Sequence, residues 1–169
     1  MMAGLLKPTS GKIFIDGSDI FQKNQKQLAL LRNETIGYIL QGQNILSNFT
    51  ILDNICMPAY LSREKKVVKS RALELLEEVG LKGMEQEYPA NLSGGELRRV
   101  AIIRGLINNP KILLADEPTS NLDSENSKMI MQLFKKISSK GTTVLISTHD
   151  LESLDNTEKI LSMEKGIIK

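Results

Sequence analysis

Three short apolar runs, at residues 36–40, 112–115 and 144–146, are separated by longer stretches whose apolar residues fall at helical spacing. This alternation constrains the fold more than any other feature. A strand buried on both faces reads as a continuous apolar run, and strands alternating with helices build βα units around a largely parallel sheet. Two further runs, 12–17 and 159–163, are shorter or alternate, as edge or hairpin strands do, and the first ends in an Asp16-Gly17 turn. The expected class is therefore α/β.

The helical stretches have readable ends. From about 64 to 79, Val68, Ala72, Leu75, Leu76 and Val79 share one face, and Gly80 is placed to stop the helix. A second helix, 93–108, meets Asn109-Pro110, where proline cannot continue it. A third starts at Asp123-Ser124, carries Ile130, Leu133, Phe134 and Ile137, and ends at Gly141. The stretch from about 52 to 89 is mostly helical and lies between two strands, so it reads as an inserted helical subdomain with the remainder as core. Lys65, Lys66 and Lys69 within it read as a solvated helix face.

Composition matters for what it excludes. A chain of 169 residues makes about one domain. With 22 Lys and Arg against 20 Asp and Glu, net charge gives no reason to expect a nucleic-acid partner. The single cysteine, Cys56, rules out an internal disulfide framework and fits a reducing compartment. No apolar stretch approaches the roughly 18 residues that cross a bilayer, and the N-terminal apolar run is too short for a signal peptide, so a cytoplasmic chain is expected.

Four features carry chemistry. Leu92-Ser93-Gly94-Gly95-Glu96 opens a helix: Ser93 with Glu96 three residues on is a capping box, but capping leaves two glycines unexplained. Glycine in a first helical turn costs up to about 1 kcal/mol against alanine, and it permits close approach of an anion to bare helix N–H groups. The run 112–115 ends in Asp116-Glu117. Alternation along a strand sends the two carboxylates in different directions, one toward a cation and one toward a water. The run 144–146 leads through Ser147-Thr148 to His149, the only histidine. Gln41 closes a third such strand and opens the polar stretch Gly42-Gln43-Asn44. Ligands of open parallel sheets bind at the carboxyl ends of strands, where Gln41, Asp116-Glu117 and His149 all fall.

Taken in order, Gln41, Ser93-Gly94-Gly95-Glu96, Asp116-Glu117 and His149 resemble the ATP-binding-cassette (ABC) ATPases over nearly the whole chain. Gln41 matches the Q-loop, Leu92 to Glu96 the signature, 112–117 the Walker B strand, Ser120-Asn121-Leu122-Asp123 the D-loop and His149 the switch histidine. Within the family, Val100-Ala101-Ile102-Ile103-Arg104 and the run 114–123 are most similar to the lipoprotein-release and macrolide-export type. The resemblance implies a P-loop NTPase-like (RecA-like) parallel-sheet core with an inserted α-helical subdomain. It implies ATP and Mg²⁺, with Asp116 and Gln41 toward the metal, Glu117 as general base and His149 on the γ-phosphate. Ser93, Gly94, Gly95 and Glu96 would serve ATP bound on a second ATPase subunit in a head-to-tail dimer, with Asp123 at their interface. A transmembrane permease would be the other partner, docking on the helical region, which places the chain peripherally on the inner face of the membrane.

The chain also departs from the family pattern. No G-x-x-x-x-G-K-[ST] phosphate loop occurs. Ser10-Gly11-Lys12 is a decoy, since Leu6 and Ile13 stand where Gly and Ser or Thr are needed. The expectation is a domain lacking its N-terminal strands and phosphate loop, by a partial reading frame or a real truncation, and inactive alone. A non-catalytic interaction subunit and a cell-division-type ABC ATPase are the alternatives. A DNA-repair ATPase head is disfavoured, because no heptad run interrupts the segment between Gln41 and Ser93.

Overall fold

The computed structural model describes residues 1–42, 44–61, 68–150 and 157–168. Gln43, Lys65, Lys66 and the expected start of the helix from 64 lie outside the described residues. The centre is a parallel three-stranded sheet of β3 (Ile36–Ile39), β4 (Ile112–Asp116) and β5 (Thr143–Ser147), in that spatial order. Register pairs Ile39 with Ala115 and Asp116 with Ser147, so the residues just past all three strands share one edge. Ahead of the sheet, β1 (Phe14–Ile15) and β2 (Ser18–Asp19) form a hairpin. Its turn residues Asp16 and Gly17 both have positive φ, as a two-residue hairpin loop requires. Ser10-Gly11-Lys12 lies in the loop leading to β1 rather than ahead of a helix, consistent with its reading as a decoy.

Five helices surround the sheet among the described residues. The first, α1 (Gln25–Glu34), was not evident from apolar spacing, since it buries only Leu28. Asn24 and Gln27 start it with a reciprocal capping box. Next, α2 (Ile51–Tyr60) is capped by Thr50, whose hydroxyl accepts from Asp53 N–H at 3.1 Å. The expected helix ending at Gly80 is α3 (Val68–Glu78), with Lys69 exposed as anticipated. Gly80 takes φ 72° and Leu81 N–H bonds back to Leu76 at 2.8 Å, a Schellman ending. The most buried helix is α4 (Gly94–Leu106), in which Val100, Ala101, Ile102 and Ile103 are all enclosed. Four consecutive apolar residues span every face of a helical turn, so α4 must be covered on all sides there. β3 approaches it so closely that a Cβ on Gly37 would meet the Gly105 carbonyl. At its far end, Arg71 of α3 donates to the Leu106 and Ile107 carbonyls, satisfying terminal acceptors at the negative end of the helix dipole. Last, α5 (Ser124–Ser139) covers one face of the sheet with Ile130, Phe134 and Ile137.

Two expectations need correction. The run 144–146 does form a strand, but β5 is not fully buried: residues alternate in exposure and Leu145 is 38% exposed. Among the described residues β5 pairs with β4 alone, and α5 covers one face, so half of the strand lacks cover. The strand expected over 159–163 is displaced. A short hairpin, β6 (Met163–Glu164) with β7 (Ile167–Ile168), takes its place because Lys165 and Gly166 both have positive φ and set the turn there.

Candidate active site at the carboxyl edge of the sheet

Asp116 is the last residue of β4 and Glu117 follows it with φ 46°. Such a left-handed conformation is uncommon for a residue other than glycine and costs of order 1 kcal/mol. Bonds on both sides hold it. Glu117 N–H extends the ladder to the Ser147 carbonyl at 2.9 Å, and the Glu117 carbonyl accepts from Ser120 N–H and from the Ser120 hydroxyl at 2.9 Å. The twist also separates the two carboxylates, as strand alternation led us to expect. Asp116 accepts from the Ser147 hydroxyl at 2.6 Å. Glu117 turns to the stretch after β5, where its Oε1 lies 2.7 Å from His149 Nδ1 and accepts from His149 N–H at 3.1 Å. Its other oxygen accepts from the Thr148 hydroxyl at 3.3 Å.

The pair is asymmetric. The Glu117 side chain is 18% exposed and that of His149 85%. Because a carboxylate only accepts, Nδ1 carries the proton toward Glu117, leaving Nε2 for another partner. The hydrogen bond to Glu117, and then its charge, raise the imidazole pKa above its ordinary value. Asp116 has a hydroxyl beside it, and no group of three His, Cys, Asp or Glu gathers among the described residues. One carboxylate with free oxygen lone pairs suits a hard divalent cation that keeps waters and substrate oxygens as its remaining ligands.

The signature residues sit at the start of α4. Ser93 N–H and its hydroxyl both donate to Glu96 Oε2 at 2.7 Å, and Glu96 N–H returns a bond to Ser93 Oγ. Those bonds hold the Glu96 carboxyl below its usual range. Gly95 has a packing reason that the sequence did not disclose. A Cβ there would collide with the Asn126 carboxamide, whose Cγ would lie 2.7 Å away. Asp123 caps α5 and fixes that side chain, accepting from Asn126 N–H at 2.8 Å and from Nδ2 at 2.7 Å. Asp123 and Gly95 are thus joined through Asn126, a residue that sequence reasoning missed. Gln41 stands exposed two residues past β3, on the same sheet edge as Asp116, Glu117 and His149. The structure therefore brings Glu117 to His149 and Asp123 to Gly95.

A parallel sheet between helices, with paired carboxylates and a histidine at its carboxyl edge and a separate capped, glycine-rich helix start, has the features of a nucleotide-hydrolysing α/β domain. The sequence model of the ABC transporter family matches residues 1–120, and the chain belongs to that family, as an ABC-type ATPase. It is 42% identical over 171 residues to the lipoprotein-releasing system ATP-binding protein LolD of Blochmanniella floridana, covering 100% of this chain and 73% of that one. It is also 42% identical to LolD of Aquifex aeolicus (strain VF5) over 165 residues, 96% of this chain and 74% of that one. Among solved structures, the dimeric post-hydrolysis state of the ATP-binding cassette MJ0796 bound to ADP and Pi superposes with a TM-score of 0.86 at 36% identity. The match covers 99% of this chain and 75% of that chain. No helix among the described residues is long and apolar enough to cross a membrane.

Proposed function

We propose that this chain is the ATP-binding and ATP-hydrolysing subunit that energises a partner transmembrane permease, working head to tail with a second ATPase subunit at the inner face of the membrane. The observation that carries the reading is Glu117, fixed at the end of the central strand with its carboxylate on His149. Glu117 takes the proton from the water that attacks the γ-phosphorus, and ADP leaves with the terminal bond's electrons. His149 orients the Glu117 carboxylate through Nδ1 and the backbone, and in its protonated form, which Glu117 favours, its outward Nε2–H donates to the γ-phosphate. Mg²⁺, when bound, neutralises developing phosphate charge. Asp116 would hold it, and Gln41 would reach toward it or the attacking water.

Ser93, Gly94 and Gly95 hold the γ-phosphate of ATP carried by the opposite subunit, at the positive end of the α4 dipole. In the free chain Glu96 accepts the Ser93 hydroxyl proton, so an arriving phosphate competes with Glu96 for it. Asp123 lies at the subunit interface. Support for the permease comes from the helical region, about residues 52–89 with the loop before it, where Leu46, Phe49, Tyr60, Leu61 and Tyr88 are exposed. LolD is a relative's name, and a lipoprotein-release partner fits it.

These 169 residues contain no phosphate-loop sequence, whose amides and lysine supply most of the attraction for the β- and γ-phosphates. As they stand they bind MgATP weakly and turn it over negligibly. ATPase assays on the chain, alone and fused behind the phosphate-loop segment of an intact family member, test both statements. Turnover appears with the loop and falls with Glu117→Gln. Robust turnover in the unextended chain, abolished by Glu117→Gln, would overturn the reading.

A further inference from the structure

The loop after β3 is held from below by α4. Arg98, in the second turn of α4, is only 3% exposed, and its Nη1 donates to the carbonyls of Leu40 at 3.3 Å and Gly42 at 3.0 Å. Arg104, further along the helix, donates from Nη1 to the Asn44 carbonyl at 2.8 Å. Asn44 Nδ2 closes the loop on the Gln41 carbonyl at 3.0 Å. Gly42 and Asn44 take left-handed φ of 82° and 45°, which folds the backbone into this shape. Among the described residues of the loop, the carbonyls of Leu40, Gly42 and Asn44 therefore accept from α4 arginines, and that of Gln41 accepts from within the loop.

Packing alone does not explain Arg98. A guanidinium taken out of water is costly, and an apolar side chain of similar length would fill the space without that cost. Its described acceptors are main-chain carbonyls, and its buried Nε has no hydrogen-bond partner. What the guanidinium provides, and methionine would not, is a cationic Nη1 whose two N–H groups bridge two carbonyls of a loop that lacks regular secondary structure.

We propose that Arg98, with Arg104 as a second tie, is a positioning residue that fastens the Gln41 loop to α4, so that Gln41 and the signature turn Ser93-Gly94-Gly95 move as one body. The tie is read from the loop itself; its consequence for hydrolysis rests on the role proposed for Gln41 above. A phosphate engaging Ser93 then also shifts Gln41, and a displacement of the Gln41 loop is felt at the signature.

Hydrogen exchange and amide NMR on the chain as it stands test this without nucleotide. In Arg98→Met, exchange of the amides in residues 40–45 rises about tenfold or more while α5 amides keep their rates. Arg98→Lys, which retains charge but loses the planar guanidinium that places Nη1 between the two carbonyls, gives a smaller rise and covers the case in which the methionine variant does not fold. The coupling is read by perturbing the other end. Ser93→Ala moves the Gln41 and Gly42 amide signals when residue 98 is Arg, and moves them several-fold less in the Arg98→Lys background. A merely structural arginine would alter stability but leave that response unchanged. Equal responses in both backgrounds, or unchanged loop exchange in either variant, overturns the proposal. If the tie holds but Gln41→Ala leaves ATP turnover of the loop-extended protein intact, the role of Gln41 fails and the tie stands.

Discussion

Asp116, Glu117 and His149 are joined by contacts between residues 31 and 32 apart in sequence, whereas Ser93 and Glu96 satisfy each other three residues apart. The first cluster exists only when β4 and β5 pair in register, so it is an assembled site. The second forms wherever α4 starts and stands exposed, apart from Gly95 packed on Asn126. The difference teaches a division of labour. In the roles proposed above, the groups that handle water and a proton are fixed by the tertiary fold of their own chain. Those proposed to hold a phosphate from outside need only a preformed helix start with its polar atoms outward.

Substitutions that touch one cluster and spare the other sharpen this contrast. The largest effect belongs to Glu117→Gln in the loop-extended protein, where steady-state ATPase falls by about 10²–10⁴-fold, the range for a lost general base. The fold should not suffer, because the amide retains the shape at the strand end. Ser93→Ala is smaller. It removes the cap and the acceptor for Glu96 N–H, and thermal unfolding reports a loss of about 1 kcal/mol. An equal loss from Glu117→Gln would erase the distinction drawn here. The smallest effect is a titration. His149 is the only histidine, so one imidazole NMR signal reports its pKa. Its folded value lies above its ordinary one because of Glu117. The pair's contribution is thus fully present below the ordinary imidazole value and is lost as pH rises through the raised one. Glu117→Gln brings the midpoint down; an unmoved midpoint would show that the two side chains do not meet in solution.

Much of this was legible in the sequence, for identifiable reasons. β3, β4 and β5 lie within one or two residues of the apolar runs because a continuous apolar stretch between helices has little else to become. α3, α4 and α5 end at Gly80, Asn109-Pro110 and Gly141 as their stop signals indicate, and Asn109 and Gly141 take the left-handed φ such endings use. α1 escaped because apolar periodicity is a poor detector of a helix with one buried residue, though its Asn24–Gln27 cap was readable. The exposure of Leu145 was not readable either, since an apolar run reports what a strand is built to meet rather than what covers it. At the site, the placement of Gln41, Asp116, Glu117 and His149 at one sheet edge was legible, because each follows an apolar run that forms a strand of the parallel sheet. The roles of Asn126 and Arg98 did not, because each depends on which helix lies beside which loop. One clue was present: Arg98 falls in register with Ala101, Ile102 and Gly105, a charge on a face that is otherwise apolar or small.

The division between the two clusters is tested most directly in a mixed dimer. This chain is combined with an intact family ATPase whose own signature is inactivated, and association is verified by chromatography. In that pair the only competent site takes its phosphate loop, carboxylates and histidine from the intact partner and its signature from Ser93, Gly94 and Gly95. The account predicts that ATP turnover returns, that Gly94→Asp abolishes it, and that Glu117→Gln in this chain leaves it unchanged. No recovery in a verified complex, or a recovery lost on Glu117→Gln, would contradict it.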